Sequence, residues 1–306
     1  MAGVNGELCG IICVNKPQGF TSFDVIAKLR GILKMKRLGH AGTLDPMATG
    51  VLPVFAGRAT KACDILPDHD KVYEAGFKLG VTTDTQDSTG TVTREGDPSA
   101  ADAERVAAVL EKFRGDIMQI PPMYSAVSVN GKRLYDLARQ GVEIEREARP
   151  VTVYSLELVS FDEAEKCGVL SVSCSKGTYV RTLINDIGEA LGCGGIMTSL
   201  VRTKACGFSL DDCVTIEQLQ DTANSGGGFE RFVKPVEEVF AYLPKLELHG
   251  AQERMYRNGI KLDLSRIRLD PNAERVRVYG ENGFIGTALP DRENGVLRIE
   301  KNFSIN

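Results

Sequence analysis

His40 and Asp45 stand five positions apart inside residues 39–52, which read GHAGTLDPMATGVL. Gly39, Gly42 and Gly50 fall in the same stretch, and glycine admits positive φ and close backbone approach. Pro46 steers the backbone of Asp45 away from helix and toward an extended conformation. The carboxylate is therefore presented from a shaped loop, where reactive groups are often carried. Ordinary turn chemistry would explain the same composition, with Asp45 doing no more than stabilising the turn. The loop leads into Val51-Leu52-Pro53-Val54-Phe55, an apolar run suited to a buried strand.

The elements that must hold this loop can be read on either side of it. Residues 10–14 form an apolar strand that ends in the turn Asn15-Lys16-Pro17-Gln18-Gly19. Thr21 or Ser22 then caps a helix on which Val25, Ile26, Leu29, Ile32 and Leu33 recur at helical spacing. This helix delivers Lys28, Arg30, Lys34, Lys36 and Arg37, five cations in ten residues with no acid among them. Such a cluster could be a solvated helix face, but beside Asp45 it reads as a phosphate-contacting patch. Residues 71–79 alternate as a strand with Tyr73 and Phe77, and residues 82–90 are polar, turn-rich and expected to be an exposed loop. Ser99 is expected to cap an amphipathic helix running to Phe113, with Gly115 just past its end. Pro121-Pro122 sets an extended entry to a hairpin turning at Asn130-Gly131. Gly131-Lys132 lacks the upstream glycine and following Ser/Thr of a nucleotide-phosphate loop. Residues 151–161 and 168–175 pair as strands, and a helix follows with Val180, Leu183, Ile184, Ile187 and Leu191 on one stripe and Arg181 in its first turn. A last apolar helix spans 236–242. Beyond it, short alternating runs at 275–279, 284–289 and 296–299 predict a small β module. We divide the chain into a catalytic part, 1–241, and this module, 242–306.

At 306 residues the chain can bury a large core. No apolar stretch approaches the ~20 residues of a membrane span, and no basic-then-apolar leader opens the chain, so a cytoplasmic protein is expected. Eight cysteines include no C-x-x-C pair, and the three histidines, His40, His69 and His249, are scattered. Free, mostly buried thiols are expected, with no metal site. Asp84 and Asp87, two acids in one loop, are too few ligands for a cation. The net charge is −4, which argues against a generally basic nucleic-acid binder, yet residues 241–306 carry eleven Lys/Arg against nine Asp/Glu.

Five separated strings, in order, resemble the bacterial tRNA pseudouridine-55 synthase (TruB) family: Lys16-Pro17 with Gly19-Phe20-Thr21-Ser22; GHAGTLDP continuing through Gly50-Val51-Leu52; KVYEA around Tyr73, with TDTQDSTG from Thr83; QIPPMYSA from Gln119; and GTYVRTLINDIG from Gly177. The resemblance covers about the first 210 residues. It implies an α+β pseudouridine synthase fold with a mixed, largely antiparallel central sheet, followed by a small C-terminal β domain of the PUA type. It further implies a stand-alone enzyme that isomerises one T-loop uridine, position 55 of tRNA, to pseudouridine without cofactor, metal or guide RNA, and with a possible accessory role in tRNA folding. A monomer is expected.

By the same resemblance Asp45 is the catalytic aspartate and Arg181 its partner. Tyr73 stacks on the target base, Tyr179 and Leu200 enclose it, and His40 fills or stabilises the loop interior the base leaves. Lys16 contacts a phosphate or braces the loop. Ser128 stands where many relatives carry lysine, so a phosphate contact there lacks its cation. Three other readings compete. A non-catalytic RNA-binding protein would not need Asp45. A nucleoside-cleaving hydrolase would release free uracil. A guide-RNA-dependent relative would usually carry lysine-rich extensions.

Overall fold

The computed structural model describes residues 8–66, 70–125, 127–129 and 131–304; His69 and the Asn130 half of the expected hairpin turn lie outside them. A nine-stranded sheet forms the body. Its main path runs Gly10–Lys16, Thr49–Ala56, Gly195–Ala205, Lys71–Leu79, Cys167–Cys174, Arg149–Asp162 and Gly115–Gln119. Leu38–His40 adds to Thr49–Ala56, and Phe208–Ser209 adds to Gly195–Ala205. The pairings are antiparallel apart from one seam, where Gly195–Ala205 runs parallel to Thr49–Ala56 with Val201 beside Thr49 and Arg202 beside Gly50. The fold is therefore α+β with a mixed, largely antiparallel sheet.

That seam explains the last glycine of the loop. Gly50 has φ +103°, and a Cβ there would collide with the backbone of Arg202. Gly50→Ala is therefore expected to destabilise the protein by about 3 kcal/mol or more, read as a lowered denaturation midpoint, because it combines a forbidden φ with a clash in a buried strand pair. A variant as stable as the parent would show that the seam can open.

The helix Ser22–Leu33 begins with a capping box, in which Thr21 Oγ1 accepts from Asp24 N and the Asp24 carboxylate accepts from Thr21 N. Its buried face, including Val25, Leu29 and Ile32, packs on the strands Gly10–Lys16 and Thr49–Ala56. All five cations of 28–37 are exposed. The helix Val180–Leu191 covers another part of the sheet and shares a core with Tyr73, Phe77, Leu170 and Val172.

Three local expectations are corrected. The helix after Ser99 begins later, spanning Ala103–Leu110 with a 3₁₀ turn to Phe113. Asp102 caps it by accepting from Arg105 N, while Ser99 N donates to Asp97. The segment at 236–242 is a 3₁₀ turn, Val236–Phe240, following Pro235. Residues 82–90 are not simply an exposed loop. Val81–Thr83 pairs with Val92–Glu95, and Thr83 and Asp87 are buried. A polar loop tolerates this because it satisfies itself: Asp87 Oδ1 accepts from Thr85 Oγ1, Thr89 N and Thr89 Oγ1 at 2.8, 2.9 and 2.6 Å.

The C-terminal residues build a second, five-stranded sheet in the order Lys245–Glu247, Val276–Gly280, Gly283–Asp291, Val296–Asn302 and Leu262–Asp263. It rests on the first unit. Phe240 meets Phe284 and Phe303 at ring distances of 6.1 and 6.0 Å. Arg275 Nη2 donates to Ile65 O at 2.7 Å, and Lys61 Nζ donates to Asn302 O at 2.7 Å.

Candidate functional site

The Asp45 loop is held from below by the turn after the first strand. Lys16 is fully buried. Its ammonium donates to the carbonyls of Pro17 at 2.9 Å, Phe20 at 2.5 Å and Pro46 at 3.4 Å. Gly19 N donates to Pro46 O at 2.8 Å. Ser22 Oγ accepts from Leu44 N at 2.8 Å, so the first residue of the helix fixes the residue before Asp45. With its donors committed to three carbonyls, Lys16 has the geometry of a brace and presents no open face to a phosphate. Burial lowers its pKa to about 8, an effect that Asp45 opposes. Replacing Lys16 by methionine strands those carbonyls, and we expect a stability loss of about 2–4 kcal/mol by denaturant titration. A loss below 0.5 kcal/mol would mean that the loop holds itself.

Arg181, brought by the first turn of its helix, meets Asp45 across 136 positions of sequence. Its Nη2 lies 3.0 Å from Asp45 Oδ2, with the arginine side chain 6% exposed and the aspartate 38% exposed. The same guanidinium lies 3.8 Å from Asp87 Oδ2 and donates from Nη2 to Tyr124 O at 2.7 Å. A planar, permanently charged fork suits this task, because it can hold a carboxylate in one rotamer while reaching other acceptors. Withdrawal from water raises the pKa of Asp45 above the usual carboxylate range. Arg181 pulls it down, Asp87 pushes it up, and Lys16 pulls it down. The open part of the side chain admits solvent, which moderates all four effects.

Tyr73 and Leu200 are nearly buried and belong with Leu44 and Ala48 to one apolar cluster. They come from adjacent strands, in which Tyr73 pairs with Arg202 and Leu200 with Ala75. Burial raises the Tyr73 phenol to about 12, so it stays neutral. Tyr179 is half-buried and immediately precedes the helix that carries Arg181. His40 closes the short strand before the loop, and its Nδ1 is buried without a hydrogen-bond partner. Burial, then the nearby Arg202, lowers its pKa, which favours the neutral ring.

Four residues that the sequence reading left out of the site belong to its frame. Arg202 is fully buried and donates from Nε to Val51 O at 2.8 Å and from Nη2 to Gly42 O at 3.0 Å, tying both ends of the Asp45 loop to the sheet. Asp87 faces Arg181 from the second loop. Gln119 and Gln86 bond to residues on either side of Arg181. Gln86, Asp87 and Gln119 lie within the strings that carry the family resemblance, and Arg202 follows Leu200 by two. Nothing in spacing or periodicity marks any of them, because their partners are remote in sequence.

A sequence model described as the N-terminal domain of TruB family pseudouridylate synthases matches residues 30–180, and one described as the tRNA pseudouridylate synthase B C-terminal domain matches residues 181–241. A protein of Clostridium tetani named tRNA pseudouridine synthase B is 41% identical over 93% of this chain and 96% of its own. One of the same name from Alkaliphilus oremlandii is 43% identical over 93% and 94%. Among solved structures, a Cbf5–Nop10–Gar1 complex contains a chain with TM-score 0.73 and 26% identity, aligned over 96% of this chain and 85% of that one. An archaeal box H/ACA Nop10–Cbf5 complex gives TM-score 0.71 and 26% identity over 96% and 86%.

Proposed function

From the premise that the chain belongs to the TruB family of pseudouridylate synthases, we propose that it isomerises uridine 55 in the T-loop of tRNA, acting alone and without cofactor or guide RNA. The observation that carries the reading is the ion pair between Arg181 and Asp45 at 3.0 Å, set against the wall formed by Tyr73 and Leu200. The curated relatives of similar length, named tRNA pseudouridine synthase B, support tRNA as the substrate.

A uridine folded into a loop is out of reach of this carboxylate, so it must flip into the pocket. Tyr73 offers an aromatic face to the base, Tyr179 and Leu200 close around it, and His40 fills the space it leaves. Within the site the N1–C1′ bond of the nucleotide breaks, the base turns, C5 bonds to C1′, the C5 hydrogen passes to water as a proton, and N1 takes up a proton from water. Atoms balance without oxidant, reductant or metal. Asp45 serves as nucleophile or base, and either role needs the ionised carboxylate that Arg181 favours. Lys16 holds the loop. The cations of 28–37 and the 242–306 module, which we read as PUA-type, hold the RNA backbone. We infer catalysis in residues 1–241, a monomer working in the cytoplasm, and an accessory part in tRNA folding.

Transfer RNA carrying tritium at uridine C5, supplied with the purified protein and no guide RNA, tests the reading. Tritium should appear in water at one equivalent per tRNA, with no free uracil. Tight binding without release would remove the stand-alone enzyme and leave a binding protein or a guide-dependent one.

A further inference from the structure

The helix that carries Arg181 has no cap of its own. Tyr179 occupies the N-cap position with an extended backbone and makes no side-chain capping bond, although such a bond usually satisfies one of the free N–H groups of the first turn. Its backbone is instead held by a residue sixty positions earlier. Gln119 closes the edge strand Gly115–Gln119 and is 2% exposed. Its Oε1 accepts from Tyr179 N at 2.7 Å, and its Nε2 donates to Tyr179 O at 3.1 Å. A carboxamide is the side chain that can give one donor and one acceptor to the two backbone groups of a single residue.

The chain leaving Gln119 returns to the same place. Five residues on, Tyr124 O accepts from Arg181 Nη2 at 2.7 Å. On the other side, Thr182 Oγ1 donates to Gln86 Oε1 at 2.7 Å. The helix start is thus held before Arg181 by Gln119 and after it by Gln86, while Tyr124 O takes the arginine itself. Of these, the Gln119 contact fixes backbone on both sides of one α-carbon, and that residue is the proposed wall of the base pocket.

We propose that Gln119 is the positioning residue of this site, setting the start of the Arg181 helix so that Tyr179 and the Arg181–Asp45 pair hold their reactive geometry. The idea rests on the function proposed above where it concerns rate, and on the structure alone where it concerns the clamp. Geometric misplacement of about 1 Å can cost on the order of 100-fold in rate, so the effect should fall on the chemical step.

Gln119→Met keeps an unbranched chain of similar volume and removes both bonds. Single-turnover tritium release from C5-labelled tRNA should slow by about 10- to 100-fold, with the tRNA Kd within about twofold of wild type. Amide exchange in the peptide spanning 176–183, measured with no substrate, should accelerate. Gln119→Glu retains the acceptor and, once protonated, the donor. Its rate relative to wild type should therefore rise as pH falls, since burial favours the neutral acid. Arg181, Asp45 and the exposed cross-strand neighbour Arg149 are present in both enzymes, so the ratio reads the substituted side chain. The proposal is overturned if Gln119→Met keeps its rate within twofold or leaves the exchange of 176–183 unchanged. It also fails if affinity falls in step with rate and the Gln119→Glu ratio is flat with pH, the behaviour of a merely structural residue. A wild type that releases no tritium while Gln119→Met still speeds exchange would sink the enzymatic reading and leave the clamp standing.

Discussion

Asp45→Asn should lower tritium release from C5-labelled tRNA by about 10⁴-fold or more, the scale on which removal of a residue central to covalent or base catalysis is felt. The variant is close to isosteric, and its amide oxygen can still accept from Arg181, so the loop between Lys16 and Arg202 should keep its shape. Binding of tRNA should stay within a fewfold of wild type by filter retention. An RNA-binding protein that does not use Asp45 would show no difference between the two chains in any assay. Release within tenfold of wild type would remove Asp45 from the chemistry. In the wild type, the rate should fall as pH drops through the Asp45 pKa, because protonation abolishes the reactive form. That acid limb should lie above the usual carboxylate range, since burial is the largest influence on the group.

Arg181→Met should cost about 10²- to 10³-fold in single-turnover rate, comparable to the loss of one preorganised electrostatic contact in an active site. It should also move the acid limb to higher pH. The sign follows from the neighbours: Arg181 holds the pKa of Asp45 down, and Asp87, which holds it up, remains. Arg181→Lys returns the charge without the fork that reaches Asp45, Asp87 and Tyr124 O together. Its acid limb should sit near that of wild type while its rate stays depressed. Removing one partner of a buried pair can cost about 3–5 kcal/mol, so the thermal midpoint should be recorded beside the kinetics. The position of the limb does not depend on the active fraction, and an unshifted limb in Arg181→Met would show that Arg181 does not set the charge state of Asp45.

How much of this was legible in advance differs from residue to residue. Asp45 was marked by its own neighbours, three glycines, Pro46 and an apolar strand, and the long string around it carried the resemblance. The helix start at Thr21 was legible because a capping box is local. Ser99 is not the cap because Asp102, three residues on, competes for the same role, and which oxygen wins is decided where the chain bends. The burial of Thr83 and Asp87 within 82–90 was hidden because polar composition reports what a loop can do in water. Asp87 satisfies itself with Thr85 and Thr89, and so can turn its other oxygen to Arg181.

The sequence by itself determined local things: the strands at 10–14, 71–79, 151–161 and 168–175, the helices that follow Thr21 and Tyr179, where the basic face lies, and which acid is offered from a shaped loop. These depend on interactions within a few residues, where side-chain type and spacing are sufficient. Only the tertiary structure decided that Lys16 faces inward as a brace, that Arg202 ties the two ends of the loop, and that Gln119 grips Tyr179. Each of those roles is a hydrogen bond to a backbone group, and backbone groups look alike in every sequence. Which of them a side chain meets is fixed only when the fold brings distant segments to hydrogen-bonding distance, as the seam between Thr49–Ala56 and Gly195–Ala205 does for Arg202.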